Sequence, residues 1–211
     1  IVFVALVCSG LFAQTDYTSK ITNPSFETGN ATGWTWTGAT GFSWLGPNTD
    51  GDATKNGTYI NGLWNSSIGD AECAQVVRGL SPGIYRVTAL LTVSTNRLTN
   101  QRLFVKTGNV TKSKLYGAST HAAYSQANLS ILGATETYSF GGFAESTAEN
   151  GPFYKLSVVI PVTADTLKMG IRVSGKSTTQ GYNFSYSTKG DAGFFKFDGF
   201  TLTEVSNVAT L

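Results

Sequence analysis

The sequence predicts an all-β chain, a two-sheet antiparallel β-sandwich with at most one short helix. Alternate positions are apolar along Tyr85, Val87, Ala89, Leu91 and Val93, along Tyr154, Leu156, Val158, Ile160 and Val162, and along Leu167, Met169, Ile171 and Val173. A period of two is that of a half-buried strand. Turn formers separate such runs at Gly46-Pro47-Asn48, Ser81-Pro82-Gly83, Asn150-Gly151-Pro152 and Lys189-Gly190-Asp191. No segment sustains a helical period, and only residues 120–132 admit a short helix. Many short strands with glycine-rich turns bury their apolar sides as two facing sheets.

Taken in order, residues 1–13 (IVFVALVCSGLFA) are apolar, too short to span a bilayer, and followed at once by polar sequence. They read as the remnant of a secretory signal peptide, with cleavage near Ala13/Gln14. Residues 14–20 then form a lead-in, 21–205 the sandwich, and 206–211 the start of a linker to a further domain. Besides the three long strands, shorter ones are expected over 20–27, 34–37, 42–45, 58–64, 71–77, 101–106, 136–140 and 193–205. The last breaks its own alternation, because Phe195 and Phe197 have one parity and Phe200 and Leu202 the other. A slip of one residue flips every side chain, so a bulge is expected, with Gly199 as its natural seat. Asp198 is then aimed away from the core, either to bind backbone amides or to ligate a cation.

Composition removes several functions. Charged residues are only 13% of the 211, about half the share in an average soluble domain, yet hydrophobic residues at 41% supply a core. A net charge of +2, with no run of Lys and Arg, argues against a polyanion and against nucleic acid as partner. Loss of Cys8 with the signal would leave Cys73 as a lone buried thiol with no disulfide. His121 is the only histidine, and no Gly-x-Ser-x-Gly elbow, phosphate loop or zinc pattern occurs. Carboxylates are too sparse for a convincing glycosidase pair. The chain therefore reads as non-enzymatic, with a sandwich-fold polysaccharide lyase built on His121 with Tyr124, or a glycosidase, as the remaining catalytic alternative.

Four segments then carry a resemblance: Asn23-Pro24-Ser25-Phe26-Glu27, Gly33-Trp34, the run from Gln75 to Tyr85 (QVVRGLSPGIY), and Phe195-Lys196-Phe197-Asp198-Gly199-Phe200. Their order and spacing over residues 21–205 resemble secreted carbohydrate-binding modules of the family 4, 9 and 22 type, within the galactose-binding-like jelly rolls of Bacteroidetes-like proteins. The resemblance implies a jelly roll of eight or more strands, polysaccharide or glycan as partner, no membrane insertion, covalent linkage to further domains, and a secreted or surface location. It also implies one structural Ca2+, with Glu27 and Asp198 at the ligand positions. The Asn48–Asn56 loop, with Asp50 and Asp52, is a second oxygen-rich stretch that reads as a solvated turn.

Sugar binding needs a flat aromatic face flanked by amide or hydroxyl groups. Trp34 and Trp36 lean to the core. Trp44 and Trp64 stand at strand ends and are the candidate platforms, with Asn48, Asn61 and Asn65 as polar neighbours and Tyr182 and Tyr186 as further aromatics. The rival reading is a structural or adhesion module in which the Ser- and Thr-rich insertion 108–151 covers the sugar cleft.

Overall fold

A computed structural model describes residues 14–38, 43–47, 59–65, 71–94, 101–117, 129, 132–141, 154–173 and 193–205. The strands among them are β1 (Gln14–Asp16), β2 (Thr35–Gly38), β3 (Ser43–Pro47), β4 (Tyr59–Asn65), β5 (Ala71–Arg78), β6 (Gly83–Ser94), β7 (Arg102–Thr107), β8 (Val110–Leu115), β9 (Glu136–Phe140), β10 (Tyr154–Val162), β11 (Thr166–Val173) and β12 (Gly193–Val205). They form two six-stranded sheets. The terminal sheet runs β10-β6-β12-β4-β3, with β1 added beside β12, and the facing sheet runs β2-β5-β11-β7-β8-β9.

Alternation explains the layering. On β11, Leu167, Met169, Ile171 and Val173 are buried, and on β6 so are Tyr85, Val87, Ala89 and Leu91. Together with Leu156, Val158, Ile160 and Val162 of β10 they make one core between the sheets. Each Val, Leu, Ile or Met among them contributes about 1.5–3 kcal/mol on burial.

Three expectations change. Residues 20–27 are not a strand: a short 3-10 turn, Thr18–Lys20, leads into a tight bend where Asn23 and Phe26 take φ of 51° and 58°. Left-handed backbone at two positions in four is incompatible with an extended run. The first three residues of the expected lead-in 14–20 join the sheet as β1, which pairs antiparallel with Thr203–Val205 of β12. The pairing is also not wholly antiparallel. β8, unforeseen inside the insertion, runs parallel to β9, since the chain between them crosses over instead of turning as a hairpin. Residues 120–132, where a helix was allowed, lie almost entirely outside the described residues.

Candidate functional site

The four family-like segments converge on one corner. Phe26 is fully buried, with ring centroids 5.3 Å from Trp34, 5.7 Å from Phe197 and 6.4 Å from Phe200. Its burial holds an aromatic residue at positive φ. The indole Nε1 of Trp34 donates to the carbonyls of Thr22 and Asn23, each at 3.1 Å. Gln75 clamps the same bend from β5: Thr22 N donates to Oε1, and Nε2 donates to Thr22 O, both at 3.0 Å. Gly33 has φ of 85°, and a Cβ there would lie 2.6 Å from the Thr22 side chain. The Gly-Trp pair is thus dictated by the close approach of the bend.

Across this corner lies the β12 bulge. The β6–β12 register shifts between Asp198 and Thr201, and Gly199 takes φ of 59°. On its other side β12 pairs with β4 as far as Phe197 and with β1 from Thr203. The 21–30 bend approaches the interval between them, and Phe200 N donates to Pro24 O at 2.9 Å. Asp198 therefore sits beside the bend, at 0% exposure. Its Oδ1 accepts a 2.7 Å bond from Gly199 N, but Oδ2 is buried and has no partner. Burial, opposed by the Gly199 bond and reinforced by the nearby Glu27, pushes this carboxyl up to about 8. Glu27 itself accepts the amide of Tyr59, the first residue of β4, at 2.8 Å. Lys196, two residues before Asp198, is buried as well. An orphaned, desolvated carboxylate oxygen beside a second carboxylate fits a hard cation.

The expected sugar contacts fare differently. Asn61 is 1% exposed: its Oδ1 accepts Gly62 N at 2.8 Å and its Nδ2 points at Cys73 Sγ at 3.7 Å. It is an interior amide between the sheets, not a surface contact, because its ladder position puts it opposite the buried Phe197. Trp34 is buried, and Trp36 packs on the core 5.9 Å from Phe197. In the ladders Trp44 pairs with Gly62, Trp64 with Phe194 and Asn65 with Gly193. The side chains of Trp44, Trp64 and Asn65 lie outside the described residues, as do Asn48, Tyr182, Tyr186, His121, Tyr124, Cys8 and the 49–56 loop. Cys73 is buried, and burial raises its thiol far above the usual range.

The outer face of the facing sheet carries groups that were not anticipated. Residues directly opposite in a ladder share a face. Glu72, Arg172 and Arg102 form one row, with Leu115 and Phe140 continuing it. Ala74, Gly170, Phe104, Ser113 and Tyr138 form the next, and Val76, Lys168, Lys106, Thr111 and Glu136 the third. Phe104 is buried beneath the Arg172 guanidinium, 4.0 Å from its ring centroid. Arg172 bonds Glu72 at 2.6 Å and Glu136 at 3.5 Å, while Arg102 holds Glu136 at 3.0 Å with both side chains nearly fully buried. Burial pushes the Glu72 carboxyl up, but Lys168 and Arg172 outweigh it and leave it below its ordinary value. Leu129 and Leu132 of the insertion pack on Leu115 and Phe140, so that end of the face is covered.

No family model matches the chain, and no curated protein matches it. Among solved structures it is similar to TmCBM61, determined in complex with beta-1,4-galactotriose: 18% identity, TM-score 0.56, with 88% of this chain and 97% of that one covered. It is more weakly similar to the C-terminal family 22 carbohydrate binding module of Clostridium thermocellum Xyn10B, at 10% identity and TM-score 0.48 over 93% of this chain and 99% of that one. The first likeness establishes the fold: the chain is a β-sandwich of the kind seen in a carbohydrate-binding module.

Proposed function

We propose that the chain is a non-catalytic carbohydrate-binding module of a secreted or surface protein, binding polysaccharide on a calcium-braced jelly roll and joined to further domains. The observation that carries the reading is the Asp198 corner. A fully buried carboxylate with one oxygen unpartnered, beside Glu27, is costly alone and is resolved by a divalent cation. Glu27 and Asp198 would hold that ion. Among the described residues no third acidic, cysteine or histidine ligand joins them, so the rest of the roughly 6–8 oxygens Ca2+ takes would fall to carbonyls and water. Bound there, calcium would tie the bend to β12 near both chain ends, a structural role.

The fold of TmCBM61 supports a glycan as partner, since that module was solved with a galactotriose. Trp44 and Trp64 remain the proposed platforms, with Asn48, Asn65, Tyr182 and Tyr186 as further contacts. Among the described residues no helix is long and apolar enough to cross a membrane. A second reading, a structural or adhesion module, is favoured by Leu129 and Leu132 covering part of the facing sheet.

Affinity electrophoresis in gels containing neutral galactan, xylan and other polysaccharides, with and without EDTA, separates these readings. Retardation abolished by Trp44→Ala or Trp64→Ala establishes glycan binding and its platform. A folded chain that no glycan retards overturns it in favour of the structural role.

A further inference from the structure

The net charge of +2 hides an uneven distribution. The strands of the terminal sheet balance, with Arg86, Lys155 and Lys196 against Asp16, Asp198 and Glu204. Those of the facing sheet carry seven cations, Arg78, Arg102, Lys106, Lys112, Lys114, Lys168 and Arg172, against only Glu72 and Glu136. Arg78, Arg102, Lys106, Lys168 and Arg172 share the outer face with both carboxylates.

Two like-charged pairs stand directly opposite on β7 and β11: Arg102 with Arg172, and Lys106 with Lys168. Such pairs are destabilising unless compensated. The arginine pair is compensated internally, by Glu136 between the two and Glu72 on Arg172. The lysine pair is compensated on one side only. Lys168 reaches Glu72 at 2.5 Å, whereas among the described residues exposed Lys106 has no ion pair, and neither has exposed Arg78 at the end of β5. This is also the open part of the face. Lys168 is 40% exposed and Val76, opposite it, 46%, while the end at Leu115 and Phe140 is covered. The surface thus holds a partly compensated cationic strip, with Lys168 paired to Glu72 and Lys106 and Arg78 flanking it, supported from below by Phe104 and the arginine–glutamate network.

We infer that this strip is a second binding surface, distinct from the tryptophan platforms, and that it takes an anionic polysaccharide, its lysines and Arg78 engaging the carboxylate or sulfate groups of the sugar chain. That the polyanion is a polysaccharide rests on the proposed function. The charge density agrees with it. DNA carries a charge about every 1.7 Å and rewards many cationic contacts, whereas this face retains two carboxylates and a modest cationic excess, suited to a sparsely charged polymer.

The test is affinity electrophoresis of the full chain in polygalacturonate, in a sulfated galactan, in neutral galactan and with duplex DNA, at low salt and at 0.5 M NaCl. Retardation by the uronate or the sulfated polymer, lost at high salt, is expected, and which of the two retards more identifies the anionic group. Lys106→Glu should weaken it about tenfold and Arg78→Gln several-fold, with thermal unfolding no earlier than in the parent and neutral-glycan retardation unchanged. Anionic binding that Lys106→Glu leaves intact overturns the site. Binding of neutral glycans only, sensitive to Trp44→Ala, overturns the inference while keeping the proposed function. Failure of every glycan overturns both, and DNA retarding the chain as strongly as the glycans overturns the choice of ligand.

Discussion

At the bulge of β12 a carboxylate lies wholly buried beside a second one, whereas on the facing sheet two lysines oppose each other in water. The electrostatic conflict is of the same type, but its cost and remedy differ. Water screens the lysines, so their repulsion is a fraction of a kcal/mol and a mobile polyanion can relieve it. Asp198 Oδ2 is shielded from bulk solvent and has no hydrogen-bond partner, so a proton or a tightly held cation is what can relieve it. On the proposed reading the dry corner takes a resident ion that braces the fold, and the wet strip a partner that comes and goes.

The largest test of this contrast lies at the corner. Stripped of metal, the folded chain keeps a proton on Asp198 up to about pH 8, while the unfolded chain releases it near 3.8. Between those values the folded state binds more protons, so stability contributed by the protonated carboxyl is full below pH 3.8, falls as pH rises, and levels off above about 8. The slope approaches about 1.4 kcal/mol per pH unit at most. Urea unfolding in EDTA should therefore show lower stability at pH 8.5 than at pH 5.5. Added Ca2+ should restore the loss, and Asp198→Asn should abolish both the slope and the calcium response. An EDTA-treated chain equally stable at the two pH values would remove the cation from the corner.

The next effect belongs to the buried ion pair of the facing sheet. Glu136→Gln removes the carboxylate that Arg102, 2% exposed, shares with Arg172. Breaking a buried pair from one side costs about 3–5 kcal/mol. The free energy of unfolding in urea should drop by up to that amount, equally in EDTA and in Ca2+, because this network is separate from the β12 corner. A loss that calcium rescues would show the two regions to be coupled.

Much of this architecture was legible because alternation is a local signal. β9, β10 and β12 coincide with the expected segments, and the parity break between Phe197 and Phe200 located the bulge. The bend at residues 21–27 was misread as a strand, since its left-handed positions are imposed by Gln75 and Trp34 from distant parts of the chain. Asn61 was misread because a polar residue beside Trp64 suggests surface, and only the opposite sheet reveals Cys73 as its neighbour. The cationic strip was invisible for a related reason. Lys106, Lys168 and Arg78 lie on three strands far apart in sequence, each alone among uncharged neighbours, and only the β5-β11-β7 order gathers them.

The smallest effect is also the sharpest for the wet strip. If Lys106 and Lys168 repel across β7 and β11, reversing one charge should replace repulsion with attraction. Lys106→Glu should then stabilise the fold by roughly 0.2–1 kcal/mol at low salt, the range for opposite charges directly opposed on a sheet, with Lys106→Gln about halfway. The gain should shrink in 0.5 M NaCl, where the Debye length falls to a few ångströms. Thermal unfolding at both salt concentrations measures it. A chain made more stable by the change that weakens anionic binding would mean that the lysine pair is retained against the interest of the fold. Destabilisation by Lys106→Glu would mean that its ammonium already has a favourable place in the folded chain, and the strip would lose its claim to an external partner.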